Sequence, residues 1–363
     1  MHKLYSFIGS IFLIILLLTG LSFYMNQQIE GKGASDKLVI YNWGDYIDPE
    51  LLTKFTKETG IQVQYETFDS NEAMYTKIKQ GGTTYDIAVP SDYMISKMKA
   101  EHLLVKLDKS KIKGLTNLDQ QFLGKSFDKD NTYSIPYFWG TVGIVYNSKM
   151  LTKVPQHWND LWNKAYTNKI LLVDGAREVL GFSLNSLTYS LNTKNRAELE
   201  RAERKLNQLT PNIKAIVGDE MKGYLIRGDA ALGVTFSGEA REMLDANKDL
   251  RYLVPGEGSN LWFDNLVIPK TVKHKKSAYA FINFMLKPEN AAQNAEYIGY
   301  ATPNAKAKDL LPADIKNNKS FYPSKETIGH LENGHYNPSL VLAAKIAKVF
   351  NVTIEDMFII IDE

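Results

Sequence analysis

No cysteine occurs among the 363 residues. Disulfides, zinc–thiolate centres, thiol nucleophiles and lipid attachment through an N-terminal cysteine are therefore excluded. Histidine is scarce, with six residues and no HExxH or other ligand-spaced cluster. His330 and His335 are the one close pair, in a Gly-containing stretch unsuited to a metal site. The chain also lacks a G-x-S-x-G elbow, a Walker loop and a dinucleotide fingerprint. Charge of one sign is missing too: 43 basic residues against 41 acidic ones leave a net +2. That balance offers no basic face for a nucleic acid. Internal repeats and low-complexity tracts are absent, and neither a metal nor a cofactor is expected.

What is present is ordinary for a soluble globular protein, with 44% apolar and 23% charged residues. The length suits a large core divided into two lobes. After Met1-His2-Lys3 comes the apolar run FIGSIFLIILLLTGLSFYM, residues 7–25. Its length matches a membrane span of about 20 residues. A positive start followed by an apolar run also describes a secretory signal. Only GKGASD, residues 31–36, offers a weak cleavage site, so an uncleaved anchor is expected. Residues 26–36 then form a short polar tether. Both readings place the remainder outside the cytoplasmic membrane.

KLVIYNW (37–43) reads as a strand, and PELLTKFTKETG as a helix with Pro49 in its first turn and Gly60 at its end. IQVQYETF (61–68) alternates as a strand, NEAMYTKIKQGG follows as a helix, and YDIAVP (85–90) is an apolar strand. This β–α–β–α–β order predicts a mainly parallel sheet. Ligands gather at the carboxyl ends of such strands, where YNWGDY and VPSDY fall. YSIPYFWGTVGIVYN (133–147) reads as a long strand leaving one lobe for another, made bendable by Gly140 and Gly143. A second α/β region follows, and RYLVPGEGSNLWFDNLVIP reads as the return crossing. SAYAFINFMLKPENAAQNAEYIGY then supplies two amphipathic helices.

Aromatic residues interleave with acids at these strand ends: Trp43 with Asp45 and Tyr46, Tyr93 beside Asp92, and Trp262 with Asp264. Glu178 follows the strand ILLV. On a strand, Trp262 and Asp264 share a face. An aromatic face attracts a cation by about 0.5–2 kcal/mol, and a carboxylate adds a charge-assisted hydrogen bond. A buried carboxylate needs a cationic partner to offset its desolvation. A cation with an apolar stem satisfies both groups. The same acids leave a surface hydrolase with two cleft carboxylates as an alternative from another class.

IYNWGDYIDPELL, SIPYFWGTVGIVYN, DGAREVLG, LWFDNLVIP and INFMLKPENAAQNAEYIGYATPN, in that order, closely resemble the spermidine/putrescine-binding protein of bacterial ABC importers, from about Lys37 to Tyr322. The resemblance implies a two-lobed periplasmic-binding-protein-like (type II) α/β fold, with hinge strands and a closing cleft. To this the sequence adds an N-terminal membrane helix and a helical C-terminal tail. The implied division is 1–36 for anchor and tether, 37–138 with 263–300 for lobe 1, 139–262 with 301–323 for lobe 2, and 324–363 for the tail. The implied ligand-binding residues are Trp43, Tyr46, Ser91, Tyr93, Glu178, Phe236, Trp262, Asp264 and Tyr300. In the family, rings sandwich the methylene chain; Asp264 and Glu178 would hold ammonium groups, completed by Tyr and Ser oxygens. Implied partners are a polyamine and the importer's permease subunits, for a monomer held at the extracytoplasmic face by its N-terminal helix, with no catalysis.

Three departures from the family pattern stand out. The family often has an acid where this chain has Gly175, and Trp where it has Phe236. These changes leave spermidine-versus-putrescine preference open, admit another small cationic solute as an alternative, and make Glu239 a candidate to compensate. Thirdly, TIGHLENGHYNPSLVLAAKIAKVFNVTIEDMF resembles the second half of a Cro/repressor-type helix-turn-helix domain. The first helices, which would position a recognition helix on DNA, are missing, so no nucleic-acid partner is expected.

Overall fold

The computed structural model describes residues 37–323 and the two-residue strand Glu332–Asn333. The apolar run at 7–25 and most of the tail lie outside the described residues. Among the described residues no helix is long and apolar enough to cross a membrane.

Two mixed α/β lobes share one continuous set of strands. In the first, β1 (Lys37–Trp43), β2 (Gln62–Phe68) and β3 (Ile87–Ala88) are parallel, joined by α1 (Pro49–Thr59) and α2 (Asn71–Gln80). Local chemistry sets these boundaries. Asp48 caps α1 by accepting from the Glu50 N–H, Pro49 occupies its first turn, and Gly60 ends it at φ 75. Ser70 caps α2 through the Ala73 N–H. The stretch expected as a strand at 85–90 is reduced to two paired residues. Its Asp86 carboxylate accepts the Val39 N–H at 2.8 Å, and Pro90 has no N–H to offer a ladder. From Ser91 the chain turns into α3 (Asp92–Ala100).

The long strand expected at 133–147 is β4, Ser134–Asn147. Its first part, through Thr141, pairs antiparallel with β9 (Asn260–Val267). From Val142 onward it pairs with β7 (Leu232–Phe236) and β8 (Leu250–Leu253). Next to β7 stand β5 (Ile170–Val173) and β6 (Ile213–Val217). β4 thus belongs to both sheets, and β9 returns beside it. The helices of this second region are α4 (Ala176–Asn185), α5 (Arg196–Leu209), α6 (Glu220–Arg227) and α7 (Ser237–Ala246). After β9, α8 (Lys275–Met285) and α9 (Pro288–Ile298) pack behind the first sheet.

Gly140 and Gly143 let neighbours approach β4 closely. A Cβ at Gly140 would lie 2.4 Å from the Trp262 ring, and one at Gly143 would lie 2.5 Å from both the Leu253 carbonyl oxygen and the Tyr252 ring. Past α9, Trp139 N–H donates to the Ala301 carbonyl at 3.1 Å, and Tyr252 stacks on Phe321 at 5.7 Å.

Candidate functional site

Two loops of the first lobe converge on β9. Asp264, 6% exposed, accepts the Tyr46 hydroxyl at 2.7 Å on one carboxylate oxygen and the Ser91 hydroxyl at 2.6 Å on the other. Each donor is itself held. The Tyr46 carbonyl accepts from the Tyr137 hydroxyl at 2.8 Å, and that hydroxyl accepts from the Asn294 amide. The Ser91 N–H donates to the Asn71 side chain at 3.0 Å, and the Asn71 amide donates back to the Ser91 hydroxyl at 3.0 Å. Burial raises the Asp264 carboxyl from its ordinary 3.8 to about 6, against the lowering effect of the Ser91 and Tyr46 donors.

Beside this carboxylate stands an aromatic wall. Trp262 crosses Tyr300 edge-to-face at 5.0 Å and Phe236 at 6.0 Å, while Tyr300 meets Tyr46 at 5.6 Å. The alternation of β9 thus brings Trp262 and Asp264 to one place. Tyr300 is seated over a glycine: a Cβ at Gly238 would sit 2.3 Å from its ring. The Trp262 indole N–H is buried and has no hydrogen-bond partner.

A second cluster lies at the N-termini of α3 and α4. Tyr93 donates its hydroxyl to Glu72 at 3.0 Å and carries the Arg177 guanidinium over its ring at 5.0 Å. Glu178 is half-buried; desolvation pushes its carboxyl up, opposed by Arg177. Gly175 leaves room for that carboxylate, because a Cβ there would lie 2.3 Å from a Glu178 oxygen. An acid at 175, as the family often has, would compete for the space that Glu178 occupies.

Tyr46, Ser91 and Asp264 are therefore joined by hydrogen bonds, and Phe236, Trp262 and Tyr300 by ring contacts. Tyr93 and Glu178 meet around Arg177. Trp43 is committed within its own lobe: its ring tilts on Phe68 at 4.6 Å and its indole N–H donates to the Val89 carbonyl at 3.0 Å. Glu239 pairs with Lys222 at 3.2 Å, and Lys222 also holds Glu242 at 2.8 Å, so Glu239 already has a cation. Sequence reasoning passed over Arg177, Gly238 and the role of Asp92. The first precedes Glu178 directly and the last follows Ser91, yet nothing local says that they face each other.

Chemically the arrangement is a buried carboxylate beside a wall of rings. It holds an ionisable carboxylate with two fixed donors, further acids a few residues away, and flat apolar faces between them. An ammonium group can take the carboxylate, and a hydrocarbon stem can take the rings.

The model of the family described as bacterial extracellular solute-binding protein matches residues 50–323, and a helix-turn-helix model matches residues 324–357. The spermidine/putrescine-binding periplasmic protein of Salmonella typhimurium is 43% identical over 296 residues, covering 81% of this chain and 85% of that one. A solved spermidine/putrescine ABC transporter substrate-binding protein from Streptococcus pneumoniae is 67% identical, with a TM-score of 0.80, and covers 87% of this chain and 97% of that one. A putative spermidine/putrescine ABC transporter structure from Listeria monocytogenes is 59% identical, again with a TM-score of 0.80, covering 87% and 98%.

Proposed function

This chain belongs to the bacterial extracellular solute-binding protein family, and from that premise we propose that it captures a linear polyamine outside the cytoplasmic membrane and delivers it to the permease of an ABC importer. The relatives are named as binding proteins for spermidine and putrescine, which favours binding over the hydrolase alternative. Asp264 carries the reading. Its two oxygens are held by hydroxyl donors from two different loops, at 2.7 and 2.6 Å, and burial makes it expensive to ionise without a cation beside it. A ligand ammonium supplies that cation. Trp262, Phe236 and Tyr300 cover the methylene stem, and Glu178, with Tyr93, faces the far end. Trp43 closes the groove only after leaving Phe68, so its contribution is the smallest of the set.

In this proposal the lobes part and close about β4 and β9, ligand contacts being complete only when both lobes engage. The N-terminal run at 7–25 holds the protein at the extracytoplasmic face. Residues 324–363 have no nucleic-acid role in this capture, and the protein acts as a monomer. Titration calorimetry with spermidine, putrescine, cadaverine and a neutral diol tests it. Binding of the polyamines at micromolar or lower concentration, with none of the diol, is expected. A panel in which no polyamine binds a folded sample would overturn the reading.

A further inference from the structure

Arg177 and Asp92 face each other from different lobes. Arg177 is the second residue of α4, which follows β5 of the second sheet; Asp92 opens α3, which follows β3 of the first. The nearest approach is 4.0 Å, from a guanidinium nitrogen to a carboxylate oxygen. That oxygen already accepts the Tyr93 N–H at 2.6 Å, and the other Asp92 oxygen is buried with no hydrogen-bond partner. Both terminal guanidinium nitrogens are buried and unpartnered as well. Asp92 is 1% exposed.

Buried together, the guanidinium and the Asp92 carboxyl, which burial raises to about 7 against the lowering effect of Arg177, each lack hydrogen bonds that the other can supply. Two further acids lie near the pair. Glu72 accepts the Tyr93 hydroxyl, whereas Glu178 lies near enough for Arg177 to oppose the upward push of desolvation on its carboxyl. The Tyr93 ring, fixed through Glu72, forms the platform under the guanidinium. A planar fork on a ring, aimed at a carboxylate, is a geometry that suits arginine and not lysine.

We propose that Arg177 and Asp92, with Tyr93 as platform, form a latch between the lobes that favours the closed form independently of any ligand. Each partner belongs wholly to one lobe, so the contact exists only while the lobes meet. Opening exposes both charges to water; closing removes them together and joins them. The latch therefore sets the population of closed protein before ligand arrives and slows release afterwards. Arg177 acts here as a positioning residue. Its effect on affinity rests on the polyamine reading, but its effect on closure does not.

The absence of cysteine makes the test direct. Lys57→Cys on α1 and Lys248→Cys on α7's following loop, both exposed, take spin labels on opposite lobes of the full chain. Pulsed dipolar spectroscopy then reads the lobe separation without ligand, and stopped-flow reads spermidine dissociation. Arg177→Gln and Asp92→Asn are each expected to shift the ligand-free distribution toward longer distances and to speed dissociation about tenfold. The double variant should be no worse than either single one, and Arg177→Lys should fall between. Asp92→Asn keeps the side-chain shape, so its melting temperature guards against a folding artefact. Unchanged distances and dissociation rates in a folded Asp92→Asn protein would overturn the latch, as would additive effects in the double variant. Failure of the parent protein to bind spermidine would sink the polyamine reading, while the ligand-free distances would still decide the latch.

Discussion

Replacing Asp264 by Asn should weaken ligand binding and stabilise the ligand-free protein at once. The carboxyl is raised from 3.8 to about 6 by burial. At about 1.36 kcal/mol per pH unit, that gap means the ionised group costs the ligand-free fold about 3 kcal/mol. The sign follows from proton counts. Between those two pH values the folded state holds a proton that the unfolded state has lost, so stability falls as pH rises and is flat above about 6. At pH 7.5 Asn removes this penalty while keeping an acceptor for Tyr46 or Ser91. Recovery of about half of it should raise the ligand-free melting temperature by a few degrees, at roughly 2–4 °C per kcal/mol. Binding moves the other way. An ammonium group that loses its buried counter-charge forfeits about 3–5 kcal/mol, a rise in Kd of a hundredfold or more at about 1.4 kcal/mol per decade. Scanning calorimetry gives the first quantity and titration calorimetry with spermidine the second. A Kd within about threefold of the parent, or a ligand-free protein that melts several degrees lower, would refute the reasoning.

Tyr46→Phe and Ser91→Ala each remove a donor that favours the ionised carboxylate. Titration at pH 7 should show a Kd about tenfold higher for each, with the midpoint of the pH profile moved upward. In the parent protein, spermidine affinity should fall as pH drops through about 6, because bound cation must displace a proton from Asp264. Calorimetry in two buffers of different ionisation enthalpy should detect that proton release, and a flat profile between pH 5 and pH 7 would count against a carboxylate contact. Gly238→Ala puts a methyl where the Tyr300 ring lies, 2.3 Å away. The lobes should still fold, but Tyr300 must leave the wall, and spermidine affinity should drop about tenfold or more. Unaltered binding in that variant would show that the ring is not needed.

Much of the frame was legible because its signals are local. The first strand and the long crossing strand emerge within a residue of their expected limits, since apolar runs and caps act over a few positions. Trp262 and Asp264 were assignable to one face from period two alone. Other features depend on which chain segment lies across the way, and no local pattern reports that. Gly140 and Gly143 also give clearance to Trp262 and Tyr252, which the sequence does not announce. Trp43 stands at the right strand end, yet Phe68 and the Val89 carbonyl take its ring and N–H. Arg177 carries no local signal beyond standing next to a candidate ligand residue. Only the meeting of two lobes gives it Tyr93 and Asp92 as neighbours.

The distribution of unmet hydrogen bonds sharpens the functional argument. Among the described residues, the buried side-chain polar atoms without a partner belong to Asp92, Arg177, Asn260, Trp262 and Asn265. Three of these five lie on β9, and the other two form the pair facing one another from α3 and α4. Elsewhere the interior satisfies its polar groups: Asp86 accepts from three backbone N–H groups and lies 3.0 Å from a His274 ring nitrogen, and Asp128 accepts from two backbone N–H groups and a hydroxyl. Folding alone gives no reason to concentrate unmet groups along one strand, since each costs about 1–3 kcal/mol. A groove that is completed from outside does give one. The strand that the two lobes share is thus also where the fold leaves hydrogen bonds unfilled. On the proposed function, a ligand placed there would be rewarded by both lobes only when they close on it.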